Sequence, residues 1–404
     1  MRFSRFSKSS DPLGRYYTDS MVGALLVNSM GLACPGTVLD LGAGEGALVG
    51  EASKIWKSSR FITVDIDANA GSALLPKLKG SIITHHTTDA LDFALAERLG
   101  LGQGGVDAAI CNPPYLRPRW EKHFAAILEE AGLSHVLPHI SEVPSDLLFI
   151  AQNFRLLCNG GRLGLILPDG IVSGEKFTSF RKTLINKHRI ERVIELPRRI
   201  FRNTDAKAHI VVVSKHGKAS DQITIQRIEQ NGLLSPQLKL PAHFAEKRLD
   251  YSYHVQTTSC IKLNQRKIAD VALSVSRGSF SSSNRNNVDF PVFHTTDFSL
   301  CEDSAPPAFR LSHENNETTT EVVASPGDIL VARVGRNLSQ KVCMVRSGRV
   351  AISDCIWLLR VVPEHREAIL AYLRSAKGRN ALEAACHGVG AKFITKSALL
   401  EITF

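Results

Sequence analysis

The stretch from Thr37 to Lys215 alternates short apolar runs with segments whose apolar positions recur at helical spacing. Each run has the length and the Val, Ile and Leu content of a buried strand. Strands that alternate with helices in this way favour a mostly parallel sheet covered by helices. The runs are TVLDL, RFITVDI, VDAAIC, RLGLILP, RVIEL and HIVVVSK, and the segment SDLLFIAQNFRLL predicts an amphipathic helix before the CNGGR turn.

The pattern changes after about residue 230, where QNGLLSPQLKLPAHF carries turn residues and little periodicity. Such a segment is typical of a connection between domains. Beyond it, GDILVARV, KVCMVR and CIWLLRVV predict strands, and HREAILAYLRSAKGRNALEAA predicts one or two helices. We therefore expect two domains, residues 1–245 with an α/β, Rossmann-like doubly wound sheet and residues 246–404 with a smaller α+β fold.

The composition of the 404-residue chain is that of a globular protein, with 44% hydrophobic and 22% charged residues. No segment approaches the roughly 20 continuous apolar residues of a membrane span. The first residues lack the apolar core of a secretory signal. The eight cysteines are scattered singly, which argues against both a zinc site and a disulfide framework. These features predict a cytoplasmic protein without a membrane partner.

The excess of basic residues indicates a negatively charged partner. The formal net charge is +10, and residues 175–215 hold eleven Lys and Arg against four acidic residues. This distribution predicts one basic face, which would suit a polyanion.

A glycine-rich turn follows the first apolar run, in VLDLGAGEGALVGEA. Gly42, Gly44 and Gly46 allow the backbone to pass close to a ligand, with Asp40 just before them. Their G-x-G-x-G spacing differs from the dinucleotide pattern, and it accommodates a compact nucleoside rather than a pyrophosphate.

Acidic residues stand at the ends of the next two predicted strands. Asp65 lies about 20 residues beyond the glycine turn, where a carboxylate can accept both ribose hydroxyls. Asp89, after SIITH, is placed to accept from an adenine amino group. Each feature alone is also explained by packing or by helix capping. Three successive strand ends with suitable groups favour a nucleoside site.

The run VDAAIC ends in the tetrad Asn112, Pro113, Pro114 and Tyr115. Proline cannot donate to a sheet ladder, so the tetrad lies at the carboxyl end of a strand. The Asn112 carboxamide oxygen and the Pro113 carbonyl form two acceptors for the hydrogens of a planar exocyclic amine. Tyr115 offers a ring on which a base can stack. A plain strand-terminating turn would explain the prolines alone.

These motifs together resemble the gamma order of S-adenosylmethionine-dependent N6-adenine DNA methyltransferases, found in bacterial restriction-modification systems. The resemblance covers most of the first 245 residues, through GRYYTD, DLGAGEG, VDID, TTDAL, NPPY, GGRLGLILPDGIVSG and LPRRIFRNTDAKAHIVVVSK. It implies that Phe201 packs on the face of the flipped adenine opposite Tyr115. One departure is that Asp19, rather than proline, follows the threonine of the first motif. The implied residues around S-adenosylmethionine are Tyr17, Thr18, Asp40, Gly42, Ala43, Gly44, Gly46, Asp65, Ile66, Asp89 and Ala90.

The second predicted domain is similar to a single target-recognition domain of type I specificity subunits. The similarity lies in spaced short motifs, which are LNQRKIADVALSVSRGSF, PVFHTTDFS, PGDILVARVGRNLSQKVCMV, AISDCIWLLRV and HGVGAKFITKSALLEI. A domain that reads flanking bases can help to supply the cost of flipping a base out of duplex DNA. Residue types that reach phosphates or base edges are Arg277, Arg333, Arg336, Asn337 and Gln340, each of which also fits a solvated surface.

The resemblance implies a site-specific DNA adenine N6-methyltransferase with duplex DNA as its partner and no metal. A homodimer and a separate restriction endonuclease are both compatible with a single recognition domain. RNA and protein-glutamine methyltransferases share NPPY and stay open as alternatives. A DNA-binding scaffold with a vestigial pocket is a third alternative. A nuclease is disfavoured, because the segments that echo its pattern lie inside the methyltransferase motifs.

Overall fold

The structure is a computed structural model that describes residues 20–78, 80–102, 104–137, 139–198, 200, 207–229, 231–261, 266–281, 292–298, 322–388 and 391–404. The chain divides into two compact units, residues 1–251 and residues 252–404. The boundary predicted from the sequence, between residues 245 and 246, lies shortly before this division.

Nine strands form one sheet in the first unit. They are β1 (Thr37–Leu41), β2 (Arg60–Asp65), β3 (Ile82–Thr87), β4 (Val106–Cys111), β5 (Leu157–Pro168), β6 (Arg189–Glu195), β7 (Ala208–Ser214), β8 (Gln222–Arg227) and β9 (Leu238–Pro241). Their order across the sheet is β3-β2-β1-β4-β5-β7-β6-β8-β9. Strands β1 to β5 are parallel, whereas β7 lies between β5 and β6 and is antiparallel to both. The predicted α/β fold with a large, mainly parallel sheet is confirmed.

Helices connect the strands of this unit and cover the sheet. They are α1 (Ser20–Ser29), α2 (Ala47–Ile55), α3 (Ala68–Leu74), α4 (Leu95–Arg98), α5 (His123–Glu130), α6 (Ser145–Leu156), α7 (Asp169–Ser173), α8 (Thr178–Lys187) and α9 (Ala242–Ala245). The next helix, α10 (Tyr251–Ile261), begins at the last residue of this unit and otherwise belongs to the second unit. Apolar residues of α1 and α2 share one core with residues of β1, β4 and β7. Burial of this apolar face, rather than helix propensity, accounts for most of the stability of such short helices.

The predicted amphipathic helix is α6, but it is buried nearly all round, with Arg155 as its one half-buried residue. Several of its buried polar side chains bond to backbone atoms, whereas Asn153 Oδ1 has no partner among the described residues. The Gln152 amide donates to the Ala90 carbonyl at 2.9 Å and to the Asp92 carbonyl at 2.7 Å. Because Gln152 donates to backbone carbonyls, it can be buried without contact to water.

Two cations of the stretch that predicted a basic face lie inside the unit, and Arg199 and Arg202 of the same stretch lie outside the described residues. Arg181 is fully buried, and its guanidinium donates to the carbonyls of Ile171, Gly174, Glu246 and Lys247. Burial lowers the pKa of Arg181 to about 10. Arg181, which the sequence suggested as a surface charge, therefore joins α8 by hydrogen bonds to α7 and to the segment after α9.

The second unit is α+β, as predicted. Its strands are β10 (Ala272–Arg277), β11 (Val292–Phe293), β12 (Val323–Ala324), β13 (Ile329–Ala332), β14 (Val334–Gly335), β15 (Val342–Met344), β16 (Val350–Ile352), β17 (Ile356–Val361) and β18 (Lys392–Phe393). They form three small sheets, β10-β17-β13-β15, β11-β16-β12 and β14-β18. The helices are α11 (Arg366–Arg374), α12 (Ala376–Ala385) and α13 (Lys396–Leu400), and they pack on the same apolar core as the largest sheet.

None of the helices in the described part of the chain has the length and the apolar character of a membrane span.

Candidate functional site

A cavity of about 240 Å³ opens at the carboxyl ends of β1, β2 and β4. The strand order reverses between β1 and β4, and such a switch point is where ligands bind in open α/β sheets. Most of the predicted site residues of the first unit line this cavity. They are Asp40, Gly42, Ala43, Gly44, Asp65, Ile66, Asp89, Ala90, Asn112 and Pro114.

Three other predicted residues are close in sequence to residues that line the cavity but do not line it themselves. Gly46 is the N-cap of α2, Pro113 is buried, and Tyr115 is half-buried beside the lining residue Pro114. Three predicted residues lie outside the described part of the chain, namely Tyr17, Thr18 and Phe201.

The glycine turn has left-handed backbone at Gly42, Gly44 and Gly46, with φ of 74°, 51° and 80°. A side chain at Gly42 would bring Cβ to 3.2 Å from the Phe149 ring, and one at Gly46 to 2.9 Å from Leu74 Cβ. No atom lies within 4 Å of a Cβ placed on Gly44. The turn is therefore packed at both ends and open in the middle, where it lines the cavity.

Asp65 joins the glycine turn to the end of β2. Its Oδ2 accepts from the Gly44 amide at 2.7 Å, and its Oδ1 accepts from the Asp67 amide at 2.8 Å. A carboxylate oxygen has more than one lone pair, so both oxygens can accept further hydrogen bonds from the cavity side. The exposed side chain of Ile66 follows it on the cavity wall.

Asp40 is the most perturbed acid of the cavity. Its side chain is 2% exposed, and Oδ2 has no hydrogen-bond partner in the described part of the chain. Burial and the nearby charge of Asp65 raise the pKa of Asp40 to about 8. A buried carboxyl with an unsatisfied oxygen at a cavity is a place where a cation or a hydrogen-bond donor would be stabilised.

Asp89 lies shortly after the end of β3, at the edge of the sheet. Its Oδ1 accepts from the Leu91 amide at 2.8 Å, which fixes the turn that also carries Ala90. Asp89 is exposed and lines the cavity, so its second oxygen faces an accessible region.

The tetrad begins where β4 ends, as predicted. The hydroxyl of Tyr115 contacts Asn112 Oδ1 at 3.1 Å and the Ile166 carbonyl of β5 at 3.2 Å. One hydroxyl proton is shared between these two acceptors. Asn112 is thus held with its carboxamide oxygen toward Tyr115.

Ser145 fastens the tetrad to the first turn of α6. Its Oγ donates to the Pro114 carbonyl, and it accepts from the Leu116 amide at 3.1 Å. The Ser145 amide in turn donates to the Leu116 carbonyl at 3.1 Å. The turn after β4 is therefore held from both sides by one residue.

Ser145 and Phe149 are cavity residues that the sequence did not reveal. They are four residues apart in α6, so they share one face of the helix. In the sequence, SDLLF reads as a helix start followed by core residues. The four-residue spacing indicates that the two side chains share a helix face, but it does not indicate which part of the protein that face contacts.

A buried ionic cluster lies at the carboxyl ends of β5 and β6 and the start of β7. Lys207 Nζ lies 3.1 Å from Glu195, 3.5 Å from Asp169 and 3.7 Å from Asp250. Burial alone would lower the pKa of Lys207, but the three carboxylates together hold it above its ordinary value. His209 Nε2 also contacts Asp169 Oδ1 at 3.0 Å. Lys207 is thus a second cation of the predicted basic face that lies inside the unit.

In the second unit, two of the predicted DNA-binding residues converge on one acid. Arg277 Nη2 contacts Asp354 Oδ2 at 2.7 Å, and Arg333 Nε donates to the Asp354 carbonyl at 2.6 Å. Arg333 also lies over the Trp357 ring. The other three predicted residues are exposed in the segment between β14 and β15, namely Arg336, Asn337 and Gln340.

A curated relative and two solved structures are similar to this chain. Type II methyltransferase M.CvrRI of Paramecium bursaria Chlorella virus XZ-6E is 22% identical over 203 residues, which are 50% of this chain and 48% of that protein. The chain thus spans about half the length of this relative. The type IIG restriction endonuclease BpuSI matches 97% of this chain and 59% of its own, with a TM-score of 0.54 and 14% identity. This likeness shows the fold.

The methyltransferase subunit of a type I restriction-modification system from Streptococcus thermophilus matches 59% of this chain and 53% of its own, at 19% identity and a TM-score of 0.47. The family model described as N-6 DNA Methylase matches residues 2–250. Because this match spans more than half of the 404 residues and contains the whole cavity, the chain belongs to the N-6 DNA methylase family.

Proposed function

We propose that this chain is a site-specific DNA adenine N6-methyltransferase of restriction-modification type, with S-adenosylmethionine as its methyl donor. The observation that carries the proposal is that the glycine turn and Asn112 of the tetrad line one cavity. A nucleoside site and an amine-binding site are therefore side by side. Membership of the N-6 DNA methylase family supports the same reaction.

The residues of the cavity fit S-adenosylmethionine. The cavity side of Asp65 suits ribose hydroxyls, and Asp89 suits an adenine amino group. The unsatisfied Oδ2 of Asp40 suits a donor or a positive charge. The open position at Gly44 leaves room for a ligand against the backbone. When bound, this cofactor supplies an electrophilic methyl group.

In the proposed mechanism, Asn112 Oδ1 and the Pro113 carbonyl accept the two hydrogens of the target amine. This draws the nitrogen lone pair out of conjugation, so the amine would attack the methyl carbon without prior deprotonation. The N–C bond would form as the S–C bond of the donor breaks with its electron pair left on sulfur, and the methylated nitrogen would then release one proton to water. The same acceptors stabilise the positive charge that develops on the nitrogen. The Tyr115 ring stacks on the flipped base while its hydroxyl is anchored on Ile166. Most of the rate enhancement then comes from positioning, with Phe201 as the proposed second wall of the base pocket.

We propose that residues 252–404 read the bases that flank the target adenine. The support is their separate compact unit and the exposed Arg336, Asn337 and Gln340, whose side chains suit base edges or phosphates. BpuSI is described as a restriction endonuclease, and a cognate endonuclease is accordingly the partner we propose. Methylation of cellular DNA of this kind would take place in the cytoplasm.

The test is transfer of a labelled methyl group from S-adenosylmethionine to mixed-sequence duplex DNA, to RNA and to cell protein, followed by base analysis. We expect N6-methyladenine in duplex DNA only. Asn112→Ala should lower this activity by at least about 10²-fold, as removal of a transition-state acceptor does. Cofactor affinity, measured by calorimetry, should stay within a few-fold of wild type.

Label in RNA or in glutamine of protein would refute the DNA assignment. It would favour an RNA methyltransferase or a protein-glutamine methyltransferase, respectively. Absence of both transfer and cofactor binding would favour the scaffold alternative. Asn153→Ala is not a suitable control, because Asn153 is buried in α6. Asn69→Ala is a better one, since Asn69 contacts Asp67 on the exposed first turn of α3.

A further inference from the structure

Seven residues without helix or strand structure, Leu116 to Lys122, follow the tetrad directly. They read LRPRWEK, and they contain three basic residues and one acidic residue. Pro118 in the middle of the segment lines the same cavity as Asn112. The segment is therefore part of the rim of the site as well as a basic stretch of surface.

Both ends of this segment are fixed. At its start, Leu116 exchanges two hydrogen bonds with Ser145. The Leu116 amide donates to Ser145 Oγ, and the Leu116 carbonyl accepts from the Ser145 amide. At its end, the Trp120 ring packs edge-on against Phe124, with 5.7 Å between the ring centroids, and His123 Nε2 contacts the Leu91 carbonyl at 3.0 Å. A segment held in this way loses little conformational entropy when a ligand binds to it.

The charged side chains of the segment are exposed and unpaired. Arg117, Arg119 and Lys122 are exposed, and no side-chain hydrogen bond or ion pair joins any of them to the described residues. Several other arginines of the first unit are engaged with acids. Examples are Arg98 with Asp92, Arg155 with Glu130, Arg189 with Glu191 and Arg227 with Glu229.

Backbone geometry brings the two arginines together at the rim. Pro118 lies between them, and a proline disfavours helical backbone at the residue before it, here Arg117. Consecutive Cα atoms are about 3.8 Å apart, so the Cα atoms of Arg117 and Arg119 lie within about 8 Å of each other. Two guanidinium groups at this spacing can bind neighbouring phosphates of one strand, since guanidinium pairs with phosphate through two parallel hydrogen bonds.

We propose that Arg117 and Arg119, with Lys122, bind the backbone phosphates that flank the target nucleotide. This inference rests on the proposed function. The phosphate contacts carry no sequence information, but they fix the strand in register over the site. A flipped adenine then enters the pocket beside Asn112 while the backbone on its rim is held by charge.

The test compares Arg117→Gln/Arg119→Gln with a matched control, Lys57→Gln/Arg60→Gln. Lys57 and Arg60 are also exposed. Arg60 is the first residue of β2, so it lies at the amino end of a strand whose carboxyl end borders the cavity. The readout is kcat/KM for methyl transfer to mixed-sequence duplex DNA at increasing potassium chloride concentration. Loss of two phosphate contacts should make the slope of log(kcat/KM) against log salt less steep by about 1.8. The control should keep the wild-type slope.

We also expect unchanged cofactor affinity, melting temperature and kcat at saturating DNA, because neither arginine lines the cavity. A wild-type salt slope in the Arg117 and Arg119 variant would overturn the inference while leaving the proposed function intact. A fall in kcat with an unchanged KM would also overturn it. If wild-type protein methylates RNA rather than DNA, the proposed function fails first, and the assignment to flanking DNA phosphates fails with it.

Discussion

The Tyr115 hydroxyl lies 3.1 Å from Asn112 Oδ1, so the aromatic and amide members of the tetrad hold each other in place. Their contact crosses the two prolines and is continued to β5 through the Ile166 carbonyl. Tyr115 therefore has two separable roles in the proposed mechanism. Its ring offers a stacking surface, and its hydroxyl orients the amide that receives the target amine.

Replacing Tyr115 by phenylalanine removes only the hydroxyl. The variant should lose about 1 kcal/mol of transition-state stabilisation, which is the worth of one ordinary hydrogen bond. Tyr115→Ala should lose about 1–3 kcal/mol more, because it also removes the stacking face. Steady-state methyl transfer measures both, with Tyr372→Phe in the second unit as the control. Equal activity of Tyr115→Phe and Tyr115→Ala would show that the ring has no stacking role.

The stability of the ligand-free protein should depend on Asp40. Its pKa is raised by burial to about 8 in the folded chain, from an ordinary value of 3.8. Because the pKa of Asp40 is higher in the folded than in the unfolded chain, its protonation stabilises the folded state. This contribution is fully present below about pH 4 and is lost as the pH rises toward about 8. The slope is about 1.4 kcal/mol per pH unit for one group. Asp40→Asn should flatten the profile between pH 5 and about 8, because the amide does not titrate.

Urea unfolding at a series of pH values checks this expectation, and Asp221→Asn at an exposed position is the control. A positively charged ligand beside Asp40 would favour its ionised form. Binding of S-adenosylmethionine near pH 7 should therefore release protons from the wild type and fewer from Asp40→Asn. Calorimetry in buffers of different ionisation enthalpy measures that difference. Equal proton release by both proteins would contradict the proposed contact.

Lys207 lies within 4 Å of three buried carboxylates, so removal of its positive charge should be costly. Lys207→Met should lower the free energy of unfolding by about 3–5 kcal/mol, because uncompensated negative charge would be left inside the unit. Lys239→Met, at an exposed position of β9, should change it by less than about 0.5 kcal/mol. Urea denaturation compares the two. Similar stabilities would mean that the carboxylates become protonated or hydrated at little cost.

The predicted DNA-binding residues of the second unit should separate into two groups. Arg336 is exposed between β14 and β15, so Arg336→Ala should weaken DNA binding by about 1–3 kcal/mol without lowering the melting temperature. Arg333 is tied to Asp354 and lies over Trp357, so Arg333→Ala should lower the melting temperature as well. Fluorescence anisotropy with duplex DNA and thermal melting make the comparison. Wild-type DNA affinity in Arg336→Ala would exclude it from the interface.

Several elements could be predicted because their signals are local. The runs TVLDL and VDAAIC coincide with β1 and β4, since strands buried on both faces of a parallel sheet are continuously apolar. The turn from Gly42 to Gly46 was predictable because left-handed backbone favours glycine. The tetrad was also predictable, because its prolines end the strand that positions Asn112.

Other features could not be predicted, because they depend on partners distant in sequence. Arg181 and Lys207 read as surface charge until the carbonyls and carboxylates around them are known. The same holds for Ser145, whose bonds to Pro114 and Leu116 join residues about thirty positions apart. Hydrophobic periodicity reports which positions are buried, but it carries no information on which buried groups meet.

The sequence by itself determined the strands, the glycine turn, the tetrad and the kind of chemistry that these residues support, because each depends on covalent geometry and on neighbours a few positions away. Only the tertiary structure decided that β7 lies antiparallel between β5 and β6. It also brought Asp40, Asp65 and Asn112 to one cavity and left Arg117 and Arg119 unpaired on its rim. These are consequences of strand order and long-range packing, which local sequence patterns do not encode.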